Sequence, residues 1–492
     1  MGVSLELKSN TDQSENEKSK KCEDKEKCET YGLGFRHVQV LLIFLCLTIA
    51  YAQRVNMSVA IVAITDRNNT NPDFPEYIWD EGQKAMILSS FFWGYVVTQI
   101  PGGQLAKRVG GKIMLLFAIS LCSLLNLLTP LFASFGFQAI VGLRVVQGLC
   151  QGCIFPSTHT LLAKWAPPSE RGTIGTYCYS GAQFGTVVML AISGVLASSA
   201  MGWPSIFYIS GVAGIVWSII WMFYGSSSPA DSRDKISVEE RHFIESSLSE
   251  HTTGDARVVE TPWKQIFTSP AVISLVIAHS AHNWGFWTLL TEIPSYMKSI
   301  LHFNIKQNAL LSALPYFVMM CISFLLSPFA DWLTNRRILK VEFSRKLFNT
   351  IGLWLPAAAL IGLSYVTSEE QSSLAVTLVT LAVGINAATY LGFQINHIDL
   401  SPNHSGTLMG ITNMSANIMS IIAPLLVGEI VSNPDDPVQW RIIFYIAAAV
   451  YFFGNLQFII FGKANTQPWN DTEAHRKRND NLEGAENPAV EY

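Results

Sequence analysis

Apolar residues run along this chain in blocks of about twenty, the length of helix that crosses a bilayer, rather than in the one-sided stripes of helices that coat a soluble core. Each block stops at breakers or charge, as at Ala166-Pro167-Pro168-Ser169-Glu170-Arg171 and Ser401-Pro402-Asn403-His404. The pattern predicts twelve membrane helices at residues 38–64, 85–105, 113–132, 137–162, 174–198, 204–224, 271–297, 307–330, 347–366, 372–396, 406–430 and 441–462. Charge collects at 1–30, 225–270 and 463–492, and the middle cluster follows the sixth block. The expected fold class is an all-α membrane protein with twelve transmembrane helices in two six-helix halves. Its expected parts are an N-terminal tail at 1–37, a first half at 38–224, a linker at 225–270, a second half at 271–462 and a C-terminal tail at 463–492.

An internal repeat supports that division. "WPSIFYISG" at 203–211 matches "WRIIFYIAA" at 440–448 at an offset of 237, and "PSERGT" at 168–173 matches "PNHSGT" at 402–407 at an offset of 234. "GGQLAKRVGGK" at 102–112 corresponds more loosely to "SPFADWLTNRR" at 327–337.

Composition agrees with this reading. Of 492 residues, 49% are apolar and 14% charged, against about 25% charged in soluble domains. The net charge of −4 says little, because different parts of the chain face different solvents. Lys107, Arg108, Lys112, Lys164, Arg171, Arg336, Arg337, Lys340, Arg345 and Lys346 follow the second, fourth and eighth blocks, whereas the opposite side holds Arg67, Lys84, Lys298, Lys306 and Arg441. Both tails and the linker are therefore expected in the cytoplasm. The sequon at Asn68 falls in the first outer loop, where it is a glycosylation candidate. The first thirty residues hold no apolar stretch, so the first span is expected to be the targeting signal. None of the eight cysteines falls in an outer loop, and no structural disulfide is expected.

"GGQLAKRVGGK" resembles the loop signature between the second and third helices of the major facilitator superfamily, with Lys107 where an Asp is usual. "RVNMSVAIV", "SSFFWGYVVTQIPGGQLA", "FPSTHTLLAKWAPPSERG" and "NHIDLSP" are similar to stretches of its anion-transporter family, which contains sialin, the vesicular glutamate transporters and the type I sodium–phosphate cotransporters. The resemblance runs from about residue 35 to 470. It implies the major facilitator fold and alternating access around a site near the bilayer midplane.

Within "LTIAYAQRVNMSVAIVAI", Arg54 lies about 15 Å from the outer end of the first helix, and Arg144 lies about 10 Å from the outer end of the fourth. An arginine at the centre of a membrane helix costs about 2.5–3.5 kcal/mol. Two at similar depth make physical sense if both line a wet cavity that receives an anion, since a guanidinium presents a planar fork to carboxylate or phosphate oxygens. The resemblance also implies that both arginines act in substrate binding or coupling.

Gln147 and Gln151 lie three and seven residues after Arg144, on one helical face. The Gln151 position is glutamate in proton-coupled relatives and glutamine in the sodium–phosphate type. Sodium is therefore the expected coupling ion, held by oxygens of Asn, Gln, Ser, Thr and unwound backbone. Interhelical hydrogen bonding is the alternative role of the two glutamines. Glu292 is the carboxylate well inside a predicted span, and it joins Gln147 and Gln151 as a coupling candidate. Tyr95, His282, Gln183 and Asn413 are further substrate-binding candidates by likeness to the family, and His279 shares a helical face with His282. Leu88 stands where vesicular glutamate transporters carry a histidine, and His282 where they carry an arginine, which argues against glutamate loading. Glu170 and Arg171 are expected to form gating contacts that break as the halves rock.

The function expected from these features is secondary active transport of inorganic phosphate or a small organic anion, coupled to sodium. A proton-coupled organic-anion exporter using His159, His282 or Glu292, and an uncoupled anion facilitator or channel, are the alternatives. No nucleotide loop, metal cluster or nucleophile constellation points to an enzyme or to a cofactor beyond sodium. The expected partners are a small anion and the lipid bilayer, not nucleic acid, and a monomer is expected. The N-terminal tail shows no acidic dileucine signal, which favours the plasma membrane over lysosomal or vesicular membranes.

Overall fold

The computed structural model describes residues 32–65, 71, 73–249, 260–300, 305–366, 369–433 and 435–470. Asn68 and the side chain of Glu292 lie outside the described set. The described chain is helical: α1 (Phe35–Thr65), α2 (Glu81–Val109), α3 (Gly111–Ala133), α4 (Phe137–Gln151), α5 (Ile154–Trp165), α6 (Arg171–Ala197), α7 (Pro204–Tyr224), α8 (Val238–Ser249), α9 (Trp263–Thr268), α10 (Pro270–Ser299), α11 (Ile305–Asn335), α12 (Val341–Leu363), α13 (Ser372–Ile385), α14 (Phe393–Leu400), α15 (Ser405–Ile430) and α16 (Pro437–Phe461). Counting α4 with α5 and α13 with α14 as single spans, ten helical segments among the described residues are long and apolar enough to cross a membrane. Two more, α2 and α10, are 29 and 30 residues long and carry more polar side chains.

Local chemistry explains several ends. Asp80 caps α2 by accepting from the Gln83 amide at 2.8 Å, while the Gln83 side chain accepts from the Asp80 amide. Pro167 and Pro168 stop α5, and Pro204 and Pro437 start α7 and α16. The fourth span breaks at Gly152–Cys153, and the tenth becomes a tight 3-10 turn at Asn386–Tyr390. Gly152 and Asn386 lie 234 positions apart, the offset of the Pro168–Pro402 repeat, so the interruption is itself repeated. Hydropathy counting did not reveal either break.

In the first half, α1 packs on α6 and α7, α2 on α4, and α3 on α7; in the second, α10 packs on α15 and α16, and α12 on α16. The α2–α4 crossing depends on two glycines. A Cβ on Gly94 would stand 2.0 Å from the Val145 carbonyl, and one on Gly148 would stand 1.9 Å from the Phe91 carbonyl. Linker helix α8 docks on the first half. Glu240 accepts from the Phe35 and Arg36 amides at 2.8 and 3.0 Å and from the Arg36 guanidinium at 3.1 Å.

The halves meet through α6 with α11 and through α15 with α2 and α5. Many of their polar contacts lie at the end of the bundle nearest the linker. Asp399 accepts from Arg171 across the boundary at 3.1 Å and from Arg345 at 2.7 Å, with all three side chains buried. Asp331 accepts from the Thr173 amide in the first turn of α6 at 2.6 Å, a carboxylate at a helix N-terminus. Gln104 donates to Thr407 at 2.8 Å, and Asn335 donates to the Ser169 carbonyl at 2.7 Å. Gly103 lies so close to Gly406 that an added Cβ would sit 2.6 Å from its carbonyl oxygen. This is a conformation sealed at the linker end.

Two predictions follow from this packing. Gly148→Leu forces α2 and α4 apart, and overpacking of this kind costs about 1–3 kcal/mol. The thermal midpoint of the protein in detergent is therefore expected to fall; an unchanged midpoint contradicts the close crossing. Asp399→Asn leaves two buried guanidiniums without their counter-charge, and breaking a buried pair costs about 3–5 kcal/mol. Its expected effect is opening of the linker end, read as faster maleimide labelling of Thr407→Cys, a position buried in the seal.

Candidate functional site

Helix α1 carries Arg54 eleven residues before its Thr65 end, and α4 carries Arg144 seven residues after its Phe137 start. The two basic groups converge on one aromatic ring, that of Phe91. The Arg54 guanidinium carbon lies 4.6 Å from the ring centre of Tyr51, 5.0 Å from that of Phe91 and 4.3 Å from that of Tyr95. The Arg144 guanidinium carbon lies 4.8 Å from the same Phe91 ring. Ring quadrupoles attract cations and offset part of the burial cost. Arg144 also donates to Gln147 Oε1 at 3.2 Å and to the Arg54 carbonyl at 3.3 Å.

Both arginines are nearly inaccessible, 8% and 3% exposed, and the Nε of each has no hydrogen-bond partner. Neither forms an ion pair with a carboxylate among the described residues. Among the described residues the two cations have no counter-ion, and a small oxyanion bound by both would supply one.

Tyr95 ties this cation pair to the second half. Asn413 on α15 donates from one Nδ2 to the Tyr95 hydroxyl at 3.2 Å and to Gln99 Oε1 at 3.0 Å, and Asn417 donates to Asn413 Oδ1 at 3.1 Å. With its oxygen accepting from Asn413, the Tyr95 hydroxyl keeps its proton to donate. Gln183 on α6 reaches the Tyr390 hydroxyl at 2.5 Å, a second contact between the halves. His282 packs between Phe286 and Phe393, at ring-centre distances of 5.7 and 5.3 Å, and its buried Nδ1 has no partner. Asn386, in the 3-10 turn, donates to the Tyr451 hydroxyl at 3.3 Å and leaves its Oδ1 unpartnered.

Arg54, Arg144, Tyr95, Gln147 and Asn413 thus form one connected group. Gln183 and His282 stand apart from it, on contacts of their own. Gln151 makes contacts of its own, donating to the Ala50 carbonyl at 3.1 Å and to Cys122 Sγ at 3.2 Å, with its buried Oε1 left over. Of the two gating candidates, Arg171 bonds across the halves, whereas Glu170 holds Arg36 within the first half at 2.9 Å. Sequence reasoning missed Tyr51, Phe91, Gln99, Tyr390 and Asn386. Spacing marked two of these, since Tyr51 precedes Arg54 by three residues and Phe91 precedes Tyr95 by four, each pair on one helical face.

The sequence matches the Major Facilitator Superfamily over residues 43–424 and 342–489. It is 40% identical over 463 residues to a "Putative inorganic phosphate cotransporter" of Drosophila melanogaster, covering 89% of this chain and 87% of that protein. It is 37% identical to human sialin over 465 residues, covering 90% and 92%. To human vesicular glutamate transporter 2 it is 33% identical over 454 residues, covering 91% and 77%. The fold superposes on a proton:xylose symporter with a TM-score of 0.65 at 14% identity, covering 89% of this chain and 99% of the symporter. This multi-pass membrane protein is therefore a transporter rather than an enzyme, and it belongs to the major facilitator superfamily, alongside sialin and the vesicular glutamate transporters.

Proposed function

We propose that this chain is a secondary active transporter that moves inorganic phosphate or a small organic anion by alternating access, coupled to sodium. The observation that carries the reading is the cation pair on Phe91, buried with no carboxylate in contact among the described residues. An anion entering between the arginines neutralises them, and the Tyr95 hydroxyl donates to it. Tyr95 also bonds Asn413, so occupancy of the site acts on a contact between the halves. Arg171 with Asp399 would part as the linker end opens, and Glu170 would keep the start of α1 attached to the moving first half. The excess of Lys and Arg at the linker end puts that end in the cytoplasm, so the conformation described is sealed toward the cytoplasm.

The sodium reading draws on three buried amide side chains. Gln53 donates to the Ser210 carbonyl, Gln151 to the Ala50 carbonyl and Asn56 to Asn126 Oδ1, and these partners fix which amide atom is oxygen. The buried oxygens of Gln53, Asn56 and Gln151 then lack hydrogen-bond partners, and they are the hard, neutral ligands a sodium ion takes. The named relatives favour phosphate or organic acids as cargo, and the plasma membrane is the proposed location.

In proteoliposomes, Arg54→Ala and Arg144→Ala are each expected to lose about 2–5 kcal/mol of anion interaction, which is at least about thirty-fold in uptake at subsaturating anion. Full uptake by both variants rejects the site. Replacing sodium by choline is expected to reduce wild-type uptake of labelled phosphate or organic anion to background, with an imposed proton gradient failing to restore it. Restoration by protons alone overturns the sodium reading and leaves the anion site standing.

A further inference from the structure

Away from the arginines, three histidines from three helices form a continuous hydrogen-bonded chain through the boundary between the halves. His159 on α5 places Nε2 3.0 Å from the Gln394 carbonyl on α14 of the other half. His397 places Nδ1 2.8 Å from that same carbonyl and Nε2 2.7 Å from the Thr412 hydroxyl. The Thr412 hydroxyl lies 3.0 Å from Nδ1 of His279 on α10. The His159 and His397 ring centres are 5.0 Å apart, and those of His279 and His397 are 6.1 Å apart. All three side chains are buried.

The pattern assigns the protons. A carbonyl only accepts, so His159 Nε2 and His397 Nδ1 both carry hydrogen and donate to Gln394. His397 Nε2 then accepts from Thr412, whose oxygen accepts from His279 Nδ1. The Tyr179 hydroxyl lies 2.9 Å from His159 Nδ1 and 3.0 Å from Nε2, and with the Nε2 hydrogen committed to Gln394 it donates to Nδ1. The chain is complete with three neutral rings. One extra proton has a place to land, because His159 Nδ1 also lies 3.3 Å from the Phe155 carbonyl and gains an acceptor once Tyr179 turns its hydrogen away. The resulting charge is buried, with His397 beside it and His279 and His282 beyond, and burial without an opposing charge disfavours it.

Among the described residues, the other charged and titratable groups facing this region have partners of their own, Tyr390 beside Tyr179 accepting from Gln183. Asp399, two residues after His397, is held by Arg171 and Arg345. His404 faces Lys107. Tyr179 is the titratable group that α6 presents.

We propose that the His159–His397–Thr412–His279 chain is a proton-binding site whose occupancy releases the seal at the linker end. The closed boundary satisfies three neutral rings, whereas separation of α5 from α14 hydrates them and lets a proton stay. Acid therefore pulls the transporter toward the open linker end, whichever ion drives the anion. This inference rests on the alternating-access reading above and not on the identity of the cargo.

The test is double electron–electron resonance on the full chain in nanodiscs, without substrate. Spin labels go on Arg108→Cys and Lys340→Cys, two exposed linker-end positions on opposite halves, with Cys22, Cys28 and Cys321 replaced by Ser. One proton held only in the open form, at the ordinary histidine value of about 6.5, raises the ratio of long to short distances about tenfold between about pH 7.5 and about pH 5.5. His159→Gln and His279→Gln, each checked for a monodisperse profile, are expected to flatten that response. A wild type that does not respond, or a response kept in either well-folded variant, overturns the proposal. Because no substrate is present, this result and the anion-uptake result can fail separately.

Discussion

A positive charge buried in a low-dielectric interior must find a counter-charge, and much of this protein is arranged around where that requirement is met and where it is left open. At the linker end it is met: Arg171 and Arg345 share Asp399, and Arg36 is held by Glu170 and Glu240. Deeper in the bundle, Arg54 and Arg144 meet aromatic rings, the Tyr95 side chain, an amide oxygen and a backbone carbonyl, and no carboxylate among the described residues. Both halves show buried, hydrogen-bonded side chains, so this difference is not a matter of loose packing. A counter-ion delivered from solution fits that gap, and for a protein of this superfamily delivery and release of a solute is the activity.

In the proposed mechanism the same geometry links binding to motion. Tyr95 lies against the Arg54 guanidinium and at the same time accepts from Asn413 of the opposite half. An anion that draws the Tyr95 hydroxyl toward itself changes a bond on which the boundary depends. Farther along the boundary lie the histidine chain, the Gly103–Gly406 contact and the Asp399 bridge. Steric fit and paired charge thus hold the closed end, while Arg54 and Arg144, with no carboxylate partner among the described residues, form the proposed anion site.

The sequence displayed much of this plan because lipid imposes coarse, readable rules. Blocks of apolar residues placed the helices within a few positions, and Arg54 and Arg144 stood out as charges deep in apolar spans, whereas Tyr95 was marked by likeness to the family. Hydropathy ends a span where charge begins, however, and several helices run on past the apolar window. The ninth predicted span began at 347, whereas α12 starts at Val341 and carries Arg345 and Lys346 on its early turns rather than in a loop. Asp331 and Asp399 fell just beyond their windows for the same reason, and so the acids of the seal were missed. Phe91 and Tyr51 looked like ordinary packing residues, because an aromatic ring that faces a guanidinium has the same spacing as one that faces a leucine. The breaks at Gly152 and Asn386 were hidden because the residues around them are apolar in either geometry.

The most direct test of the central claim is to locate the anion itself. A structure of the full-length transporter determined with arsenate or selenate, whose heavy atoms scatter anomalously, shows where an oxyanion settles. A single strong peak is expected within hydrogen-bonding reach of both the Arg54 and Arg144 guanidiniums and of the Tyr95 hydroxyl. An occupied site elsewhere in the boundary, with the space between the two arginines dry and closed, contradicts it.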